Sequence, residues 1–68
     1  MERDRLTAMA NQIAAFFDAY PEDEAVTATA DHLRQFWDPR MRGQLKEILA
    51  AGGEIDLTPT ALAAARRI

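Results

Sequence analysis

The sequence predicts an all-α protein, a small bundle of three main helices plus a short C-terminal helix. Three observations carry that prediction. Apolar residues recur at helical spacing through most of the chain. Prolines and glycines punctuate it so that helix-length segments lie between them. Alanine, the strongest helix former, supplies 14 of the 68 residues.

The first helix is expected from about Arg3 to Ala19. Leu6, Met9, Ala10, Ile13, Phe16, Phe17 and Tyr20 fall within about 120° of arc at 100° per residue, an amphipathic stripe. Ala8, Ala15 and Ala19 lie on the opposite side. They are either solvated alanines in a good helix former or a smooth strip that a second helix can approach. Pro21 ends the helix by disfavouring α conformation at Tyr20.

The second helix starts among residues 21–24, where Glu22, Asp23 and Glu24 suit the positive end of the helix dipole. Val26, Ala30, Leu33 and Trp37 share one face, with Phe36 and Thr29 at its edge. It stops at Asp38, whose carboxylate can cap a third helix that begins with Pro39 at its first position. That helix runs to about Ala51, burying Met41, Leu45, Ile48 and Leu49, and Gly52-Gly53 terminates it. Gly43 lies inside it at a cost of roughly 1 kcal/mol relative to alanine. Either a partner backbone packs there or the helix tolerates it. After GGEIDL, Thr58-Pro59 repeats the cap-then-proline start. The last helix continues to about Arg67 with Ala61, Leu62, Ala65 and Ile68 on one side. At this length it must dock to be stable.

Sixty-eight residues make one domain, residues 1–68, near the lower limit for a self-sufficient core. Such a core rarely yields more than roughly 3–5 kcal/mol. No cysteine is present, which excludes disulfides and thiolate metal sites, and a single histidine argues against zinc. The apolar runs are too short and too charged to span a bilayer. The amino terminus has no signal-peptide h-region, so the expected location is cytoplasmic.

The chemistry of an enzyme is thin. There is no cysteine and no serine, the acids cluster at helix starts, and no glycine-rich phosphate loop occurs. The expectation is a non-catalytic chain. The second and third helices around the tight turn resemble a helix-turn-helix, with Arg40, Arg42, Gln44 and Lys46 of base- and phosphate-reading type. The net charge of −3 and the lack of a basic arm weigh against nucleic acid.

An interaction module fits better. Nineteen apolar residues larger than alanine include the neighbours Phe16-Phe17, Phe36-Trp37 and Ile48-Leu49, and one core cannot easily cover every such pair. The segment HLRQFWDPRMR, residues 32–42, sets aromatics beside three arginines, the composition of an interface hot spot. Seven of the eight basic residues are arginine, from interface use or from GC-rich codon usage.

MANQIAAFF at 9–17, HLRQFWDPRMR at 32–42, LKEILAAGG at 45–53 and LTPTALAAAR at 57–66 together resemble the delta subunit of cytoplasmic NAD-dependent formate dehydrogenases. The resemblance covers nearly the whole chain, and FW-DPRM is its distinctive part. It falls on Asn11, Gln12, Phe16 and Phe17, then on His32, Leu33, Arg34, Phe36, Trp37, Pro39, Arg40 and Met41. It implies an accessory chain without its own cofactor that associates with a catalytic alpha subunit and supports the active assembly. The molybdenum or tungsten bis-pterin, the iron–sulfur clusters, FMN and NAD are then expected in partner subunits. A maturation or cofactor-insertion factor for the same enzyme is the alternative. The residue reading sorts the matched positions. Leu33, Trp37 and Met41 are expected in the core, and Asp38 and Pro39 at the corner. Arg34, Phe36, Arg40 and Arg42 are expected on a contact surface, with Asn11 and Gln12 hydrogen-bonding across it.

Overall fold

A computed structural model describes residues 2–68. Four α-helices follow one another without a strand among the described residues: α1 (Glu2–Phe17), α2 (Glu22–Phe36), α3 (Pro39–Ala50) and α4 (Pro59–Ala65). A 3₁₀ turn, Gly53–Asp56, folds the linker between α3 and α4.

The local signals at the joints operate as their chemistry requires. Asp38 is extended, and its carboxylate accepts a 2.8 Å hydrogen bond from the Met41 amide, with Pro39 in the first turn. Thr58 caps α4 by accepting from the Ala61 amide at 3.3 Å. Gly52 takes φ +86°, the left-handed conformation that glycine reaches without a Cβ clash. Gly53 then passes so close to Ile48 that a Cβ there would sit 2.8 Å from the Ile48 carbonyl oxygen. α1 ends at Phe17, two residues earlier than expected, because the Tyr20 amide turns back onto the Phe17 carbonyl ahead of Pro21. α4 ends at Ala65, two residues short of Arg67.

Helix α1 packs against α2, α3 and α4, while α2 and α4 pack on each other and α3 leans on the 3₁₀ turn. The buried cluster has twelve members, and half are alanine: Ala10, Ala14, Ala30, Ala61, Ala64 and Ala65. Leu6, Leu33, Trp37, Leu45, Ile48 and Leu57 complete it. Small side chains let α1, α2 and α4 approach closely, but each buries little area, so the core is weak for its helix content. Thr29 is fully buried and returns its hydroxyl proton to the Ala25 carbonyl at 2.7 Å.

The buried face of α1 differs from the expected one. Leu6, Thr7, Ala10 and Ala14 point inward, and the helix is rotated so that Met9, Ile13 and Phe17 are only half-buried. Phe16 is 73 % exposed and Tyr20 52 % exposed, although both were expected on the buried stripe. Their bulk does not fit where two other helices close over small residues. Leu33 and Trp37 are core, as their spacing indicated, while Met41 and Leu49 are half-buried against it.

Candidate functional site

The rings displaced from the core form a continuous outer edge between α1 and α2. Phe16 and Phe17 meet edge to face at 5.1 Å, and Phe17 lies 6.3 Å from Tyr20. Phe17 also reaches His32 at 6.2 Å, and His32 tilts over Phe36 at 4.7 Å. Offset and edge-on contacts at these spacings suit the ring quadrupoles. Phe36 remains 69 % exposed. Beside the rings, Gln12, Ile13, Phe16, Phe17 and His32 line an open groove of about 390 Å³.

The arginines lie elsewhere. Arg34 and Phe36 are two residues apart, about 200° around α2, so they flank its buried face from opposite edges. Phe36 and His32 stand on the α1 side. Arg34 stands on the α4 side, where its guanidinium donates to the Arg67 carbonyl at 2.8 Å and pairs with Asp31 at 3.0 Å. Arg67 donates to the Thr27 hydroxyl at 3.1 Å, and Arg42 of α3 donates to the Arg34 carbonyl at 3.3 Å. Arg40 is exposed in the first turn of α3 and makes no side-chain hydrogen bond or ion pair among the described residues. The sequence grouped Arg34, Phe36, Arg40 and Arg42 on one surface. The structure divides Phe36 from Arg34 and Arg42 by the width of α2.

Asn11 has a different surrounding from the one expected. Its Nδ2 donates to the Asp56 carbonyl and its Oδ1 accepts from the Thr58 amide, both at 2.9 Å. One side chain of α1 thus holds both the end of the 3₁₀ turn and the cap residue of α4. The two ends of the amide that were expected to face a partner are engaged within the chain. Gln12, one residue on, is exposed beside the aromatic groove.

Sequence reasoning places Phe16 and Tyr20 on the buried stripe and so misses these two members of the aromatic edge, whereas His32, outside the apolar stripe of the second helix, reads as a solvated or interface histidine. The available signal was the alanine content of α1 and α4, which favours helices packing on their small faces. Among the described residues no group of three or more His, Asp or Glu side chains is placed to hold a metal ion. No helix there is long and apolar enough to cross a membrane.

Residues 5–65 match the family described as NADH-dependent formate dehydrogenase delta subunit FdsD. No curated protein and no solved structure matches the chain.

Proposed function

The chain belongs to the NADH-dependent formate dehydrogenase delta-subunit family, and from that premise we propose that it is a non-catalytic accessory subunit. On this reading it binds the catalytic alpha subunit through its aromatic edge and supports the assembly or stability of the active complex. The molybdenum or tungsten bis-pterin, iron–sulfur clusters, FMN and NAD belong to the other subunits.

The observation that carries the proposal is the exposed ring edge of Phe16, Tyr20 and Phe36. At about 200 Å² per ring, the exposed fractions of 73, 52 and 69 % leave on the order of 400 Å² of contiguous aromatic surface. That lies within the roughly 300–600 Å² of the largest apolar patches on monomers, which are often functional. A second copy is the weaker occupant. Two such edges bury about 800 Å² in total, the size of a packing contact rather than of a stable dimer at roughly 1,200 Å² or more. A larger partner can enclose the rings and add a rim from Gln12, which is exposed beside the groove. It would use the exposed rings as anchors.

The test is co-purification of the full chain with the alpha subunit, comparing the native chain with Phe16→Ala and Phe36→Ala. Truncating a central aromatic anchor typically costs roughly 2–4 kcal/mol, a 30-fold or greater weakening. Both rings are exposed in the isolated chain, so its thermal midpoint should move by only about 2 °C. Undiminished recovery of complex with the double variant rejects this surface. Retention of the chain at fixed stoichiometry in mature, active enzyme separates a subunit from a maturation factor, which would have left.

A further inference from the structure

The aromatic edge holds one group whose charge can change near neutral pH. His32, the only histidine in the chain, is half-buried and lines the groove with Gln12, Ile13, Phe16 and Phe17. Its ring lies 6.2 Å from that of Phe17 and 4.7 Å from that of Phe36. Imidazole is the side chain whose charge ordinarily changes between pH 5 and 8. The other four lining residues are uncharged, and Gln12 alone among them is polar. No residue of α3 or α4 lines the groove. Tyr20 stands one ring beyond Phe17, and a phenol is neutral throughout that interval. On α2 itself Asp31 precedes His32, but its carboxylate is paired at 3.0 Å with Arg34, on the α4 side. Among the described residues, then, no carboxylate lines the groove to neutralise an imidazolium.

We infer that docking at this edge is coupled to the protonation of His32: the partner binds the chain with a neutral imidazole, and acidification weakens the complex. The inference rests on the proposed docking of the alpha subunit over these rings. Two effects of a proton on His32 pull in opposite directions. A cationic ring is attracted to the faces of Phe17 and Phe36, but those contacts already exist in the free chain and largely cancel from the binding difference. What docking changes is access to water. A partner covering Phe16 and Phe36 also covers His32, which lies against Phe36 in a groove that Phe16 lines. That cover strips hydration from an imidazolium, and the groove offers no counter-charge in exchange. Burial of this kind favours the neutral ring. The proton therefore binds the free chain better than the docked one. Affinity is complete where the imidazole is neutral and is lost as pH falls.

Binding of the full chain to the immobilised alpha subunit at about pH 7.5 and about pH 5.5, for the native chain and for His32→Gln, tests it. Across this interval the native Kd should rise about tenfold more than that of His32→Gln. Both chains meet the same partner, so titrations that belong to the alpha subunit drop out of the comparison. Far-UV circular dichroism at both pH values checks that each chain stays helical, and His32→Leu repeats the comparison if His32→Gln unfolds. Native and variant profiles that run parallel within about twofold overturn the inference. So does tighter native binding at the lower pH, which would mean that a partner carboxylate receives the imidazolium. The docking reading survives either result. It fails separately, and this inference with it, if Phe16→Ala/Phe36→Ala leaves the Kd at the higher pH unchanged.

Discussion

Replacing Asn11 with alanine separates a residue that holds the fold from one that holds a partner. The side chain makes two hydrogen bonds, to the Asp56 carbonyl and from the Thr58 amide, across 45 and 47 residues of sequence. A net contribution of roughly 0.5–1.5 kcal/mol per bond, reduced for partial exposure, gives about 1–2 kcal/mol in total. That is a large share of the roughly 3–5 kcal/mol available to a core of this size. With about 4–8 °C of thermal midpoint per kcal/mol in a domain this small, Asn11→Ala should melt roughly 5–15 °C below the native chain. The assay is a far-UV circular dichroism melt of the isolated chain. Hydrogen exchange should also quicken at the Thr58 amide, which loses its acceptor. Asn11→Asp should not restore the midpoint, because it keeps the acceptor for Thr58 but turns a carboxylate toward the Asp56 carbonyl. If Asn11→Ala melts within about 2 °C of the native chain and loses the alpha subunit instead, the intrachain account is refuted and Asn11 acts at the interface.

Three further perturbations follow from the same packing. Gly43 has no heavy atom within 4 Å of where a Cβ would stand, so Gly43→Ala should raise the urea midpoint by the equivalent of about 1 kcal/mol. Gly53→Ala should lower it by roughly 1–3 kcal/mol, because the added methyl meets the Ile48 backbone. Loss of complex recovery in Gly43→Ala, despite the stabler chain, would place a partner backbone against α3. Trp37 is 4 % exposed and is the largest side chain in the core, so Trp37→Ala should cost roughly 3–5 kcal/mol. That equals the whole expected stability, and size-exclusion chromatography with circular dichroism should find the variant expanded and largely without helix.

An alanine-lined core links the fold to the accessory role. Three helices that approach over small residues gain good backbone order but little buried apolar area. The aromatic area that would strengthen the core stands on its rim, at Phe16, Tyr20 and Phe36. A partner that covers those rings supplies the burial that the chain does not supply for itself, and linkage then stabilises the bound form.

The sequence by itself determined the helices and their joints, together with the family resemblance. Asp38 with Pro39, Thr58 with Pro59, Pro21 and Gly52 each act on backbone groups within about four residues. Their effect does not wait on the rest of the chain. Trp37 and Leu33 were legible as core for a similar reason, since they sit at the centre of α2's apolar arc. Only the tertiary structure decided which side of α1 faces inward. Apolar spacing offers a broad arc that includes both Ala14 and Phe16, and the closeness of α2 and α4 selects the smaller residue. It likewise decided that Arg34 and Phe36 part company across α2, and that Asn11 bonds to residues more than forty positions away. Periodicity along one helix is a property of local geometry. Which neighbour fills each side depends on contacts distant in sequence, and no local pattern encodes those.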